Sequence, residues 1–310
     1  MREIASHAFC RRMSWGGDAP RAALREAWSA NLSTRVLTAT RHAYSAHVRG
    51  EPDTLRLQQR WFDMIGPVGP PCTNLERYGR RDQLKMACAL SQARAPCVII
   101  SIGSNNEWQF EEDAFRRTTC RIETFDCTLR AGSKPPAEIA TRTRLHFACI
   151  GTRNHTDSRG RQFLDWPSLV ARATIAPGVE AAPVAYLKMD AEGAELEVLP
   201  QMLETPSLLP PQLGMELHKK HYFATSKELT GKCSIHVAHD GHASGSRCYT
   251  ATSEPFFDRM ATLGGLAMLF ELLWQRGGYA LVARRDNMVS SCCTEVLLVR
   301  QAGVAQKGVS

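Results

Sequence analysis

The chain has 310 residues, 44% of them hydrophobic and 22% charged, the composition of an ordinary globular protein large enough to bury a core. No apolar run approaches the roughly 20 residues that span a bilayer, and the longest, such as Leu263–Phe270, is short and contains glycine. The net charge of +7 is uneven: residues 1–50 hold eight Arg against Glu3, Asp18 and Glu26, so the rest carries only about +2 and lacks the basic stripe of a nucleic-acid enzyme.

Residues 1–65 form a basic arm rich in Arg, Ala and Ser, a composition that resembles an organellar transit peptide. The alternative is a helical or disordered arm of the mature protein, with Ala22–Ala30 able to form a helix; a separate short helix is expected at about Leu55–Met64. A signal peptide would need an apolar core that this segment lacks. Gly66-Pro67-Val68-Gly69-Pro70-Pro71 breaks the chain, and residues 66–310 are expected to form the main domain.

From Cys97 onward, strand-like and helix-like segments alternate, the pattern of a parallel sheet wrapped by helices. Strands are expected at Val98–Ile102, Arg121–Phe125, Leu145–Ile150, Ala185–Met189, Gln212–Leu217, Gly278–Arg284 and Thr294–Val299. Helices are expected at Phe110–Arg117, Trp166–Ala173, Glu195–Glu204 and Pro255–Arg276. The link between the last two strands, Asp286–Cys293, is too short for a crossover helix, so they must pair as an antiparallel hairpin. The fold class is therefore α/β: a doubly wound, Rossmann-like, mostly parallel sheet closed by that hairpin. Residues 224–253, with His236, His239 and His242, read as a solvated insert over the strand ends.

The eleven cysteines show no CxxC pair and no zinc-finger spacing. Most are expected to be small buried apolar residues. A secretory protein with Cys72, Cys88, Cys233 and Cys248 in disulfides is the alternative.

Four strand ends carry the chemistry. The run Val98–Ile102 ends in Gly103, which lets the backbone approach a ligand, followed by Ser104, Asn105, Asn106 and Glu107. These polar residues can cap the next helix or bind a cofactor, although the loop is not GxGxxG. About 20 residues later, Asp126 stands where an acid can take ribose hydroxyls. Next, Lys188 and Asp190 share one face of a strand, and the buried lysine needs Asp190 or Glu192 as partner. Finally, Glu216 and His218 share a face of the following strand. Converging with Asp190, they could abstract a proton from a hydroxyl, with His218 as base and Glu216 orienting it. They could equally hold a divalent metal.

These stretches together are similar to the methyltransferase-like proteins of the Methyltransf_22 type, related to FkbM-type S-adenosylmethionine-dependent methyltransferases. The resemblance rests on Cys72-Thr-Asn-Leu-Glu-Arg77-Tyr-Gly79, Ser101-Ile-Gly-Ser-Asn-Asn-Glu-Trp-Gln-Phe-Glu111, Phe125-Asp126-Cys127-Thr128, Tyr186-Leu-Lys-Met-Asp-Ala-Glu-Gly-Ala-Glu195, Leu213-Gly-Met-Glu-Leu-His218 and Glu295-Val-Leu-Leu-Val-Arg300. It covers about residues 72–300. It departs after Gly79, where a glycine-rich stretch gives way to Arg80-Arg-Asp82-Gln-Leu-Lys85. It implies a class I methyltransferase fold and S-adenosylmethionine as donor, with Gly103 and its loop at the methionine part and Asp126 at the ribose. It places Asp190 and Glu192 at the transfer site, and a hydroxyl of a small molecule or glycan as acceptor. No nucleic-acid partner is expected. A cofactor-binding pseudoenzyme acting as a partner subunit and a Rossmann-type oxidoreductase are the rival expectations.

Overall fold

The computed structural model describes residues 65, 68–69, 71–175, 182–218, 263–286 and 293–301. The basic arm, the insert at 224–253 with its histidines and the start of the Pro255–Arg276 helix lie outside these residues. Twelve strands and four α-helices are described. The strands are β1 (Leu75–Tyr78), β2 (Lys85–Cys88), β3 (Val98–Ile102), β4 (Arg121–Phe125), β5 (Thr143–His146), β6 (Ala148–Ile150), β7 (His155–Thr156), β8 (Gln162–Leu164), β9 (Val184–Met189), β10 (Gln212–His218), β11 (Tyr279–Asp286) and β12 (Cys293–Arg300). The helices are α1 (Gln109–Arg117), α2 (Trp166–Thr174), α3 (Glu195–Met202) and α4 (Leu263–Gln275).

The body is a mixed α/β arrangement around a mostly parallel seven-stranded sheet, in the order β11-β12-β10-β9-β3-β4-β5. Strands β5, β4, β3, β9 and β10 pair in parallel. β12 lies between β10 and β11 and pairs antiparallel with both, so the expected terminal hairpin is present. β1 and β2 form a separate hairpin, and β6, β8 and β7 form a small third sheet.

Alternation along each strand divides the core between the two faces. Val98, Ile100 and Ile102 of β3 pack with Leu187 and Met189 of β9 and with α2, α3 and α4. Ile99 and Tyr186 face the other way, onto Phe110 and Ala114 of α1 and onto the β1–β2 hairpin. Helix α2 begins where its sequence directs: Asp165 accepts from the Ser168 amide at 3.0 Å, and Pro167 lies in the first turn, where its missing N–H costs nothing.

The β1–β2 hairpin is bound to the sheet by specific polar contacts. Tyr186 Oη donates to the Met86 carbonyl at 2.6 Å, and the Gln212 amide exchanges two hydrogen bonds with the Cys88 backbone, each 2.7 Å. Gly214 permits this approach, because a Cβ there would lie 1.6 Å from Tyr186 Oη.

Two expectations are corrected. The single strand at Leu145–Ile150 is two strands in different sheets, separated by the exposed Phe147, so the apolar run does not all enter one core. The described cysteines are not free apolar residues, and the alternative of disulfides holds for Cys72 and Cys88, while Cys233 and Cys248 lie outside the described residues. Cys72–Cys88, Cys97–Cys120 and Cys127–Cys149 are disulfides, Cys293 is also disulfide-bonded, and no described cysteine is left reduced. Among the described residues no helix is long and apolar enough to cross a membrane.

Cys97–Cys120 ties the start of β3 to the start of β4 across a separation of 23 residues. Closing a loop of that length restricts the unfolded chain by about 3 kcal/mol. Replacing both residues by alanine is predicted to lower the unfolding free energy by about that amount. Equilibrium urea denaturation measures it, and an unchanged midpoint would contradict the assignment.

Candidate active site

The sheet topology places the site. From β3 the chain runs outward through β4 and β5, then returns to the opposite side of β3 as β9. Connections leave in opposite directions from the carboxyl ends of these two neighbours, which opens a crevice where α/β proteins bind ligands. The backbones meet closely there: the Asp190 amide donates to Ile102 O at 3.0 Å, and a Cβ on Gly103 (φ +76°) would stand 1.9 Å from Asp190 O. Glycine is therefore required at 103 by the backbone of β9 itself.

The loop after Gly103 is rigidly held. Asn105 and Asn106 both adopt left-handed backbone, tolerated better by asparagine than by most residues. They do not cap α1, whose N-cap is Trp108 with no side-chain cap bond. Instead Asn105, Asn106 and Glu107 are exposed above the strand ends, while Ser104 is buried. Asp126 holds the loop from below. Its Oδ2 accepts from the Ser104 and Asn105 amides at 3.0 and 2.8 Å, and its Oδ1 accepts from the amide and hydroxyl of Thr128 at 2.8 and 2.6 Å. Both oxygens are engaged and the residue is buried, so in this arrangement Asp126 positions the loop and offers no open oxygen to a ribose.

Lys188 is fully buried, but its ammonium donates to the Gly103 carbonyl, not to Asp190 or Glu192. Burial pulls its pKa down, while Glu111 and then Asp190 push it back up. Glu111, buried in the first turn of α1, accepts from the Ser101 hydroxyl at 2.5 Å. Lysine, glycine loop and helix are thus joined under the crevice.

Asp190, Glu216 and His218 come together as expected, and Glu192 stands beside them. The organising cation is Lys85 of β2, which the sequence reading gave no role. Its ammonium is fully buried and lies 2.8 Å from Glu295, 3.5 Å from Asp190 and 3.9 Å from Glu216. Burial works against its charge, but the carboxylates, Glu295 foremost, push its pKa up. Glu216 and Glu295 stand directly opposite each other on β10 and β12, a repulsive pairing without a cation between them.

His218 is oriented by Glu195 and not by Glu216. Glu195 Oε1 takes the His218 amide at 2.7 Å and Nδ1 at 2.8 Å, while Glu216 is 4.0 Å from Nε2. The reason is geometric. Residues two apart on one strand stand side by side, whereas the fully buried Glu195, at the start of α3, points straight at the end of β10. Glu195 Oε2 also accepts from the Gly193 amide at 2.9 Å, which fixes the turn between β9 and α3.

The electrostatics follow. Burial alone would lower the His218 pKa, but Glu195, then Glu216 and Asp190, raise it to about 10. The ring is therefore an imidazolium at neutral pH and a poor general base. Burial and the neighbouring Asp190 charge raise Glu216 to about 8. Asp190 is held low by Lys85 and Lys188 despite its burial. Burial also raises Glu192 and Glu295.

Removing the Lys85 charge strands three carboxylates. Lys85→Met is predicted to cost about 3 kcal/mol or more in urea unfolding, because breaking a buried pair leaves its partners uncompensated. An effect within error would show that the cluster carries no such strain. His218 adds a pH dependence. Its pKa is 6.5 in the unfolded chain and about 10 in the folded protein, so its stabilisation is complete below the first value and lost as pH rises to the second. His218→Gln should flatten the fall in stability across that interval; equal slopes in parent and variant would contradict it.

No family model matches the chain, and no curated protein matches it, so the chemistry of the site is read from its own residues.

Proposed function

We propose that the chain is an S-adenosylmethionine-dependent methyltransferase that acts on a hydroxyl of a small molecule or glycan. The observation that carries the reading is the crevice between β3 and β9. There Gly103 abuts Asp190 beneath an exposed polar loop, at the reversal of strand order where nucleotide-type ligands bind. Five parallel strands closed by an antiparallel hairpin is also the arrangement that the methyltransferase resemblance implies.

The residues fit such a donor at the loop and not at Asp126. Asn105, Asn106 and Glu107 are exposed and would hold it, whereas both Asp126 oxygens are engaged. The donor supplies a methyl group on a positively charged sulfur, already activated for transfer. What the protein must add is alignment and a place for the acceptor's proton. Asp190 is assigned that place: Lys85 and Lys188 favour its charged form against its burial, and the strand register puts it beside Gly103. Lys85 holds the carboxylate in position. Lys188, bonded to the Gly103 carbonyl, fixes the loop relative to Asp190.

The disulfides favour an oxidising compartment, and we place the protein there rather than in a reducing cytosol.

Calorimetry is predicted to show S-adenosylmethionine binding to the purified protein. Asp126→Ala should weaken it by about tenfold or more through release of the Ser104 and Asn105 amides, the loss of two charge-assisted hydrogen bonds. Absence of binding to the parent protein would remove the methyltransferase reading.

A further inference from the structure

Among the described residues, the carboxyl ends of β9 and β10 and the amino end of β12 gather more acid than base. Asp190, Glu192, Glu195, Glu216 and Glu295 meet three cations among the described residues, Lys85, Lys188 and His218. Their distribution is lopsided. Lys85 answers Asp190 Oδ2, Glu216 Oε2 and Glu295 Oε1 on one side. On the other side, His218 Nε2 stands 3.6 Å from Glu192 Oε2 and 4.0 Å from Glu216 Oε1. These gaps are too wide for hydrogen bonds. They are close to the width an ion needs, since two donors each about 2.1 Å from a metal at a tetrahedral angle stand about 3.4 Å apart.

Asp190, Glu192 and His218 each offer a donor atom, all within 4.8 Å of one another. The opposite ring nitrogen of His218 is anchored on Glu195, the carboxylate–histidine pairing that aims Nε2 at a metal. Glu295 Oε2 is buried and has no hydrogen-bond partner among the described residues, while its other oxygen is held by Lys85. The neighbouring set Glu216, His218 and Cys293 is the poorer one, because the disulfide removes the thiolate.

We propose that Asp190, Glu192 and His218 bind one divalent transition-metal cation, with Glu195 orienting the imidazole and the Nε2 proton of His218 released to solvent as the ion enters. A mixed carboxylate and imidazole donor set suits a first-row ion such as Mn2+ better than Ca2+, which takes oxygen ligands alone. The site needs no nucleotide and stands whether or not the chain transfers methyl groups.

The test is titration of the EDTA-stripped full chain with Mn2+, followed by electron paramagnetic resonance of the free ion. The parent protein should take up a single ion. Glu192 is nearly half exposed, so Glu192→Gln leaves the fold intact and should weaken binding by about tenfold or more. Glu195→Gln, which touches no ion, should weaken it by a similar factor. No uptake by the parent, or equal uptake by Glu192→Gln, overturns the proposal. Calorimetry with S-adenosylmethionine on the same stripped protein separates the two readings, since Mn2+ uptake without donor binding upholds the metal site and removes the methyltransferase.

Discussion

One buried ammonium organises the candidate site of this protein. Lys85 arrives on a hairpin outside the main sheet and meets carboxylates from three different strands, β9, β10 and β12. Taking an ammonium out of water costs several kcal/mol, and one carboxylate seldom repays it. Three of them do, and in return the ammonium lets Glu216 and Glu295 stand face to face across two paired strands. The other contacts of the hairpin serve this placement. Tyr186 holds Met86, Gln212 holds Cys88, and Gly214 leaves room for both.

The same end of the sheet is also where two backbones touch. Gly103 and Asp190 approach so closely that no side chain fits at 103, and Lys188 secures the contact from beneath through the Gly103 carbonyl. Asp126 then fixes the loop above by taking two of its amides. The crevice is thus set before any ligand arrives, which is the condition for alignment to lower a barrier. His218 belongs to a different part of the design. Held by Glu195 and surrounded by acids, it stays charged and acts as a cation rather than as a base.

Much of this was legible in the residues. The strands of the main sheet were readable to within a few positions because buried parallel strands are continuous apolar runs, as in Val98–Ile102. The terminal hairpin followed from loop length alone. The convergence of Asp190, Glu216 and His218 followed from residues that share a face at neighbouring strand ends. What escaped was nonlocal. The four-residue strands β1 and β2 are too short to show a period, so the sequence assigned Lys85 no role. Its signal was a lysine within the otherwise apolar stretch Leu84–Ala89. Glu195 and Glu295 sat in quoted motifs without a role, although an acid in the buried strand Glu295–Val299 needs a partner. The disulfides join cysteines 16 to 23 residues apart, and no spacing rule pairs them. Asp126 was read as a ligand residue because its position is right, while the amides that occupy it come from a loop whose path the sequence does not show.

The account's central claim is that the crevice between β3 and β9 is where the donor sits. A crystal structure of the chain with S-adenosylhomocysteine tests it most directly. The account predicts the nucleoside product over the carboxyl ends of these two strands, in contact with Asn105, Asn106 or Glu107, with Asp190 facing its sulfur. Density for the compound elsewhere on the protein, with this loop untouched, would contradict it.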